Sequence, residues 1–144
     1  KAPRCGGDYQ AKLSGPLLDR IDIQIEVGAV SLIDLAEKGE GEKSSAVAAR
    51  VAQARARQEE RYRTLGSPVL INAHADAELI EQAAPMGEAA KTMFLNAAER
   101  LKLSARAYHR MMKVALTIAD LAGASEVTQA HVAEALSYRR LRVG

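Results

Sequence analysis

The sequence is poor in the residues that build a sheet core, a disulfide framework or a membrane span. Aromatic residues make up only 3% of the 144 residues and tryptophan is missing, which favours aliphatic and alanine side chains in closely packed helices. The single cysteine, Cys5, cannot form an internal disulfide, and the three histidines lack the spacing of metal ligands. No apolar run approaches the roughly 20 residues of a membrane span. We therefore expect a soluble, cytoplasmic, mainly α-helical protein that neither holds a metal nor enters a membrane.

The sequence also lacks a self-sufficient active site. It contains no HExxH, GxSxG or paired-cysteine motif, and GEGEKS is not a phosphate loop because Glu42, rather than glycine, precedes Lys43. The net charge of +2 comes from 20 basic and 18 acidic residues, a mixture that neither demands nor excludes nucleic acid. The first residues, KAPRCGGDYQ, begin without Met. We expect a non-catalytic fragment of a longer protein.

The clearest element is the helix predicted from Leu103 to Gly123. Ser104 can accept a hydrogen bond from the first turn, and Gly123 can end the helix in a left-handed conformation. Apolar side chains recur at steps of three and four and predict a buried face, made of Tyr108, Met111, Met112, Ala115, Ile118, Ala119 and Ala122. The pattern places Arg106, Arg110, Lys113 and Asp120 on the opposite face. Arginine in the first turn of a rigid helix suits anion binding, although a single surface arginine is more often simply solvated.

A strand is predicted near the start of the chain. In KLSGPLLDRIDIQIEV, apolar and polar residues alternate from Ile21 to Val27, which is typical of a half-buried strand. A strand needs a neighbour for its backbone groups, and the only other strand-like run, Val69 to Ile71, is short. We therefore interpret this strand as the last one of a missing α/β domain. Arg20 directly precedes it, in a position that holds a guanidinium firmly but accessibly.

A long basic helix is predicted from Ser45 to Leu65, capped by Ser44 or Ser45, after a linker over residues 28–43. Its apolar line is thin and interrupted at Gln58. The remaining surface is crowded with arginines, namely Arg50, Arg55, Arg57, Arg61 and Arg63. Arg50, Arg55 and Arg57 are candidates for phosphate contacts with nucleic acid, and a solvated face on a connecting helix is an equally good interpretation.

The remaining residues predict a compact unit of four helices between Asp76 and Leu141. The first ends near Pro85, the second runs from Gly87 to Leu101, the third is the helix from Leu103 to Gly123, and Thr128 caps the last. The predicted inward residues of the last helix are Val132, Ala133 and Leu136. Together these elements divide the chain into three segments, residues 1–27, 28–72 and 73–144.

Three motifs carry a resemblance to a known family. KLSGPLLDRIDIQIEV, LSARAYHRMMKVALTIADLAG and HVAEALSYR occur in the order found in the C-terminal part of the magnesium-chelatase-like AAA+ ATPases of the ComM (YifB) group. The match covers the chain from about Tyr9 to Arg139. It departs from the family pattern where VALTIADL places Leu116 at a usual arginine position, and where only Cys5 represents a cysteine-rich segment.

The resemblance implies a role for each segment. Residues 1–27 would end the ATPase core, residues 28–72 would form the linker and basic helix, and residues 73–144 would form the helical lid. Arg20 would be the arginine finger that reaches the nucleotide of the neighbouring subunit. Arg106 would be the sensor-2 arginine that contacts the nucleotide of its own subunit, and Arg110 is a weaker candidate for either role.

The resemblance also implies cofactors and partners. ATP and Mg²⁺ would be bound mainly by the absent upstream core, the full-length protein would be a hexamer, and its work would be DNA remodelling in competence or recombination. Two alternatives stay open: a non-catalytic helical module that binds DNA or protein, and a magnesium chelatase subunit that acts in porphyrin metal insertion.

Overall fold

The computed structural model describes residues 17, 20–25, 27–30 and 41–139. The elements in these residues are α1 (Ser44–Thr64), a 3-10 turn (Asn72–His74), α2 (Ala77–Ala83), α3 (Glu88–Arg100), α4 (Ala105–Ala122) and α5 (Gln129–Ser137). The mainly helical fold is confirmed, with the four-helix unit formed by α2 to α5. Among the described helices, none combines the length and the apolar character needed to cross a membrane. The three proposed segment boundaries stay a prediction.

Helix α4 is the centre of the fold and matches its predicted ends. The Ser104 hydroxyl accepts a hydrogen bond from the Ala107 N–H at 3.2 Å, and Gly123 ends the helix with φ of 72°. Helices α1, α2 and α5 and the 3-10 turn all pack against α4, while α3 packs on α5. Because most of the bundle meets at α4, its position sets the position of the whole unit.

The core contains few large side chains and many alanines. Its largest fully buried apolar side chains are Tyr62, Ile80, Phe94, Leu116, Val127 and Val132. Buried alanines from α2, α3, α4 and α5 lie between them, so the helices can approach closely. The loop before α5 is pinned by the Val127 N–H, which donates to the Pro85 carbonyl at 2.8 Å. The expected aliphatic, alanine-rich core is confirmed.

Several predicted faces are wrong in detail. The sequence predicts Asp120 on the outer face of α4, but it is only 2% exposed, because Arg61 of α1 and Asn72 of the 3-10 turn cover it. Ala122 and Ala133, both predicted to face the core, are exposed, and Ala135 is buried in place of Ala133. Alanine is small and compatible with either environment, so it specifies a helix face weakly.

The strand predicted from Ile21 to Val27 is absent among the described residues of that stretch, which are all but Glu26. Its apolar side chains are largely exposed, with Ile23 at 52% and Val27 at 83%. The described residues offer no neighbouring strand to pair with, and an unpaired strand leaves its backbone donors and acceptors unsatisfied. The prediction of a strand is therefore wrong for this chain as described.

Lys43 occupies the N-cap position of helix α1 and makes no side-chain capping hydrogen bond. The predicted serine cap is therefore wrong, and Ser44 is the first helical residue. The N-terminal half of α1 is exposed apart from a half-buried Val47. Only the C-terminal half contributes buried residues, namely Ala54, Gln58 and Tyr62.

Candidate functional site

The outer face of α4 carries three cations, Arg106, Arg110 and Lys113, which we call the α4 basic face. The chain reaches it through a tight connection after α3. Lys102 adopts φ of 48°, and the Leu103 N–H donates back to the Ala98 carbonyl at 2.9 Å. This hydrogen bond closes a six-residue turn at the end of α3. The turn and the Ser104 cap together fix the direction in which α4 starts.

Arg106 lies in the first turn of α4 and is exposed, whereas the next residue, Ala107, is fully buried. Burial of Ala107 fixes the rotation of this turn about the helix axis. Arg106 makes no hydrogen bond or ion pair with any residue in the described part of the chain. Its guanidinium is therefore available for a planar, doubly bonded contact with an anion.

Arg110, one turn later, is engaged with the segment that carries Arg20. Its Nε donates to a carboxylate oxygen of Asp22, and one of its terminal nitrogens donates to the backbone carbonyl of Arg20. Arg20 itself is exposed, and its guanidinium has no ion-pair partner among the described residues. The structure thus brings the Arg20 segment to α4, and Arg110 is what holds it there.

Lys113 is also engaged. Its ammonium donates to the Ala73 carbonyl at 3.1 Å, which ties α4 to the 3-10 turn. Burial lowers the pKa of Lys113, although the Asp22 carboxylate acts in the opposite direction. Of the three cations on the α4 basic face, Arg106 alone lacks a partner in the described residues.

A buried polar network continues the line of the α4 basic face toward the C-terminal end of α4 and joins α1, the 3-10 turn and α4. Arg61 donates two hydrogen bonds to the Asp120 carboxylate. Asn72 donates to the same carboxylate at 2.9 Å and to the Thr117 hydroxyl at 3.0 Å, and its backbone N–H donates to the Gln58 side chain at 3.0 Å. We call these residues the Asn72 network.

The Asn72 network is fully satisfied. The side chain of Asp120 is 0% exposed and that of Arg61 is 20% exposed, and no buried side-chain nitrogen or oxygen in the described residues lacks a partner. Tyr62 donates to Asn72 at 2.9 Å. Burial, opposed by Arg61 and reinforced by Asp120, raises the pKa of Tyr62 to about 12. Buried charges persist only when paired in this way, so the network fixes α1 in one place on α4.

Sequence reasoning did not find this network. The sequence predicts Arg61 as one more surface arginine and Asp120 as a residue of the outer face. The available signal was Gln58, a polar residue in the middle of an apolar line, because a buried amide requires hydrogen-bond partners from neighbouring elements.

The arginines of α1 are only partly free. Arg50 donates to the Glu42 carboxylate at 2.7 and 3.1 Å, and Arg63 pairs with Glu60. Of the predicted nucleic-acid contacts, Arg55 and Arg57 are exposed and have no carboxylate partner among the described residues. The Arg57 guanidinium lies near Gly123, at the C-terminal end of α4. The basic face of α1 is therefore weaker than the sequence indicated.

The fold and the α4 basic face define the class of protein: a helical domain whose central helix presents, in its first turn, an arginine without a partner among the described residues. A family model described as "Magnesium chelatase, subunit ChlI C-terminal" matches residues 41–139, and one described as "Magnesium chelatase, subunit ChlI" matches residues 1–35. The chain belongs to the magnesium chelatase ChlI family, and the described bundle is its mainly helical C-terminal lid domain.

Relatives narrow the group. The chain is 40% identical over 134 residues to the competence protein ComM of Haemophilus influenzae, covering 92% of this chain and 25% of that protein. It is 37% identical over 139 residues to YifB of Escherichia coli, with the same coverage, and 34% identical over 134 residues to YifB of Salmonella typhimurium. These similarities place it in the ComM/YifB group. The chain spans about a quarter of the length of these relatives.

Proposed function

We propose that this chain is the nucleotide-sensing lid of an AAA+ ATPase whose ATP binding and hydrolysis drive DNA remodelling in competence or recombination. The observation that carries the proposal is Arg106, a cation without a described partner in the first turn of the best-capped helix. The lid itself is not catalytic, because it contributes cations but no phosphate loop.

The role of Arg106 follows from its chemistry and its position. A guanidinium stays charged and presents donors that match phosphate oxygens. Placed on the helix against which α1, α2 and α5 pack, Arg106 transmits a contact with the nucleotide of its own subunit to the whole bundle. Lid position then reports whether a triphosphate is present.

Arg20 takes the second role, that of an arginine finger. Its exposed guanidinium reaches the nucleotide of the adjoining subunit and stabilises the charge that develops on the transferred phosphoryl group, an effect worth about 10³ to 10⁵ in rate in other systems. Arg110, the weaker candidate, is engaged with Asp22 and the Arg20 carbonyl, which favours Arg106 over it as the nucleotide contact.

The remaining parts of the proposal concern the whole protein. ATP would supply the phosphoryl group, and Mg²⁺ would neutralise the charge of the phosphates. Residues upstream of this chain would hold ATP and Mg²⁺. The full-length protein assembles as a hexamer in the cytoplasm. The proposal of DNA as the substrate is supported by the name of the similar competence protein ComM.

A second candidate is a helical module that binds DNA through α1 without ATP. It is supported by Arg55 and Arg57, which are exposed and without a carboxylate partner among the described residues. Such binding would weaken steeply with salt, because each neutralised phosphate contact releases counterions.

One experiment separates the two functions. The full-length protein is assayed for ATP hydrolysis with and without DNA, alongside Arg20→Ala, Arg106→Ala and an Arg55→Gln/Arg57→Gln double variant. The lid function predicts that Arg20→Ala and Arg106→Ala lose hydrolysis while folding normally, and that the double variant keeps it. Full hydrolysis in both single variants would refute the lid function. ATP-independent, salt-sensitive DNA binding that only the double variant loses would favour the binding module.

A further inference from the structure

The segment over residues 20–25, which we call the strap, is attached to the lid at two separate places. Arg110 on α4 holds its first half through Asp22 and the Arg20 carbonyl. The Gln24 N–H donates to the carbonyl of Tyr138, just after α5, at 2.8 Å. Between these attachments the apolar side chains of the strap are exposed, with Ile21 at 43% and Ile23 at 52%. Polar contacts, rather than apolar burial, position the strap.

Arg110 fixes the backbone of Arg20, while the Arg20 side chain has no ion-pair partner among the described residues. The two acceptors are a carbonyl at residue 20 and a carboxylate at residue 22, so one planar guanidinium defines both position and direction of the strap. The Arg110 side chain is 30% exposed and that of Asp22 is 48% exposed. An ion pair this exposed contributes little to the free energy of folding. Its main effect is to position the strap relative to α4.

We propose that Arg110 is a positioning residue that holds Arg20 in register with α4. This inference rests on the proposed function of Arg20 and Arg106. Because Arg106 and Arg110 are one turn apart on a rigid helix, a movement of α4 caused by the nucleotide at Arg106 is carried to the Arg20 backbone. The lid of one subunit thereby couples its own nucleotide state to the finger it offers its neighbour.

Subunit mixing tests this inference in the full-length protein. A subunit with Arg106→Ala is defective in its own site but keeps the Arg110 contact that positions its finger, so mixing it with Arg20→Ala subunits should restore part of the hydrolysis. Arg110→Gln subunits should behave like Arg20→Ala subunits: they should regain activity when mixed with Arg106→Ala and not when mixed with Arg20→Ala. A merely structural role for Arg110 would not produce this pattern.

Kinetics of the unmixed proteins supply a second readout. Arg110→Gln should lower kcat by about 10- to 100-fold with KM for ATP unchanged, since displacement of a reacting group by about 1 Å has an effect of this size. Asp22→Ala removes the carboxylate that accepts from Arg110 and should lower kcat in the same direction, which covers the case in which Arg110→Gln fails to fold. Arg100→Gln, an exposed arginine at the end of α3, serves as the control and should retain full activity.

These experiments distinguish failure of the positioning role of Arg110 from failure of the proposed function. Wild-type kcat in both Arg110→Gln and Asp22→Ala, or restored hydrolysis when Arg110→Gln is mixed with Arg20→Ala, would overturn the positioning role and leave the proposed function intact. Wild-type hydrolysis in Arg20→Ala itself would overturn the proposed finger role of Arg20, and wild-type hydrolysis in both Arg20→Ala and Arg106→Ala would overturn the proposed function. The predicted mixing pattern together with a kcat-only loss would support the inference.

Discussion

Removal of the Asp120 carboxylate tests whether the Asn72 network holds α1 on α4. Asp120→Ala leaves Arg61 in the bundle without its counter-ion and removes one acceptor of Asn72. Breaking a buried ion pair from one side typically costs 3–5 kcal/mol. The Arg61 side chain is 20% exposed and can recover some hydration, so we expect a loss of about 3 kcal/mol in the free energy of unfolding.

Urea denaturation of the 144-residue chain, followed by circular dichroism, measures this loss. The matched control is Glu60→Ala, which breaks a pair whose side chains are 75% and 61% exposed and should cost no more than about 0.5 kcal/mol. Because Arg61→Ala removes the orphaned charge, the double variant Arg61→Ala/Asp120→Ala should lose less than the sum of the single variants. Additive losses, or a loss in Asp120→Ala as small as in the control, would refute the network.

Three further predictions concern the helix ends and Tyr62. Ser104→Ala removes the cap of α4 and should lower the free energy of unfolding by about 1 kcal/mol in urea denaturation; an unchanged value would contradict the cap. Lys102→Gly relieves a positive φ and should raise thermal stability by about 0.5 kcal/mol, whereas a lower melting temperature would contradict strain at this position. Spectrophotometric titration should show one tyrosine ionising near pH 12 that Tyr62→Phe removes; since the folded pKa is raised, the stability that Tyr62 contributes should be present below about pH 10 and lost as the pH rises through about 12.

The helices were predictable because their signals are local. The Ser104 cap, the left-handed Gly123 and the three- and four-residue spacing of α4 all act within one helix. The same local reasoning failed for Asp120, because its partners, Arg61 and Asn72, come from α1 and the 3-10 turn. Long-range polar pairing leaves no periodic trace in a single sequence.

For the strap, by contrast, a clear local pattern predicted an element that did not form. Alternation from Ile21 to Val27 is a strong local pattern, yet its described residues form no strand, since pairing depends on a neighbour outside the pattern itself. The sequence identified Arg106 and Arg20 as accessible cations. It did not predict that Arg110 joins the Arg20 segment to α4. That contact spans 90 positions of sequence and only the fold brings it together.

The central claim is that Arg106 senses the nucleotide for the whole lid. The most direct measurement is steady-state ATP hydrolysis by the full-length protein carrying Arg106→Ala, compared with Arg100→Ala, which changes an exposed arginine elsewhere on the bundle. Loss of a preorganised donor to a reacting phosphoryl group predicts a fall in kcat/KM of about 100-fold or more in Arg106→Ala, with wild-type behaviour in Arg100→Ala. Equal activity in the two variants would contradict the account.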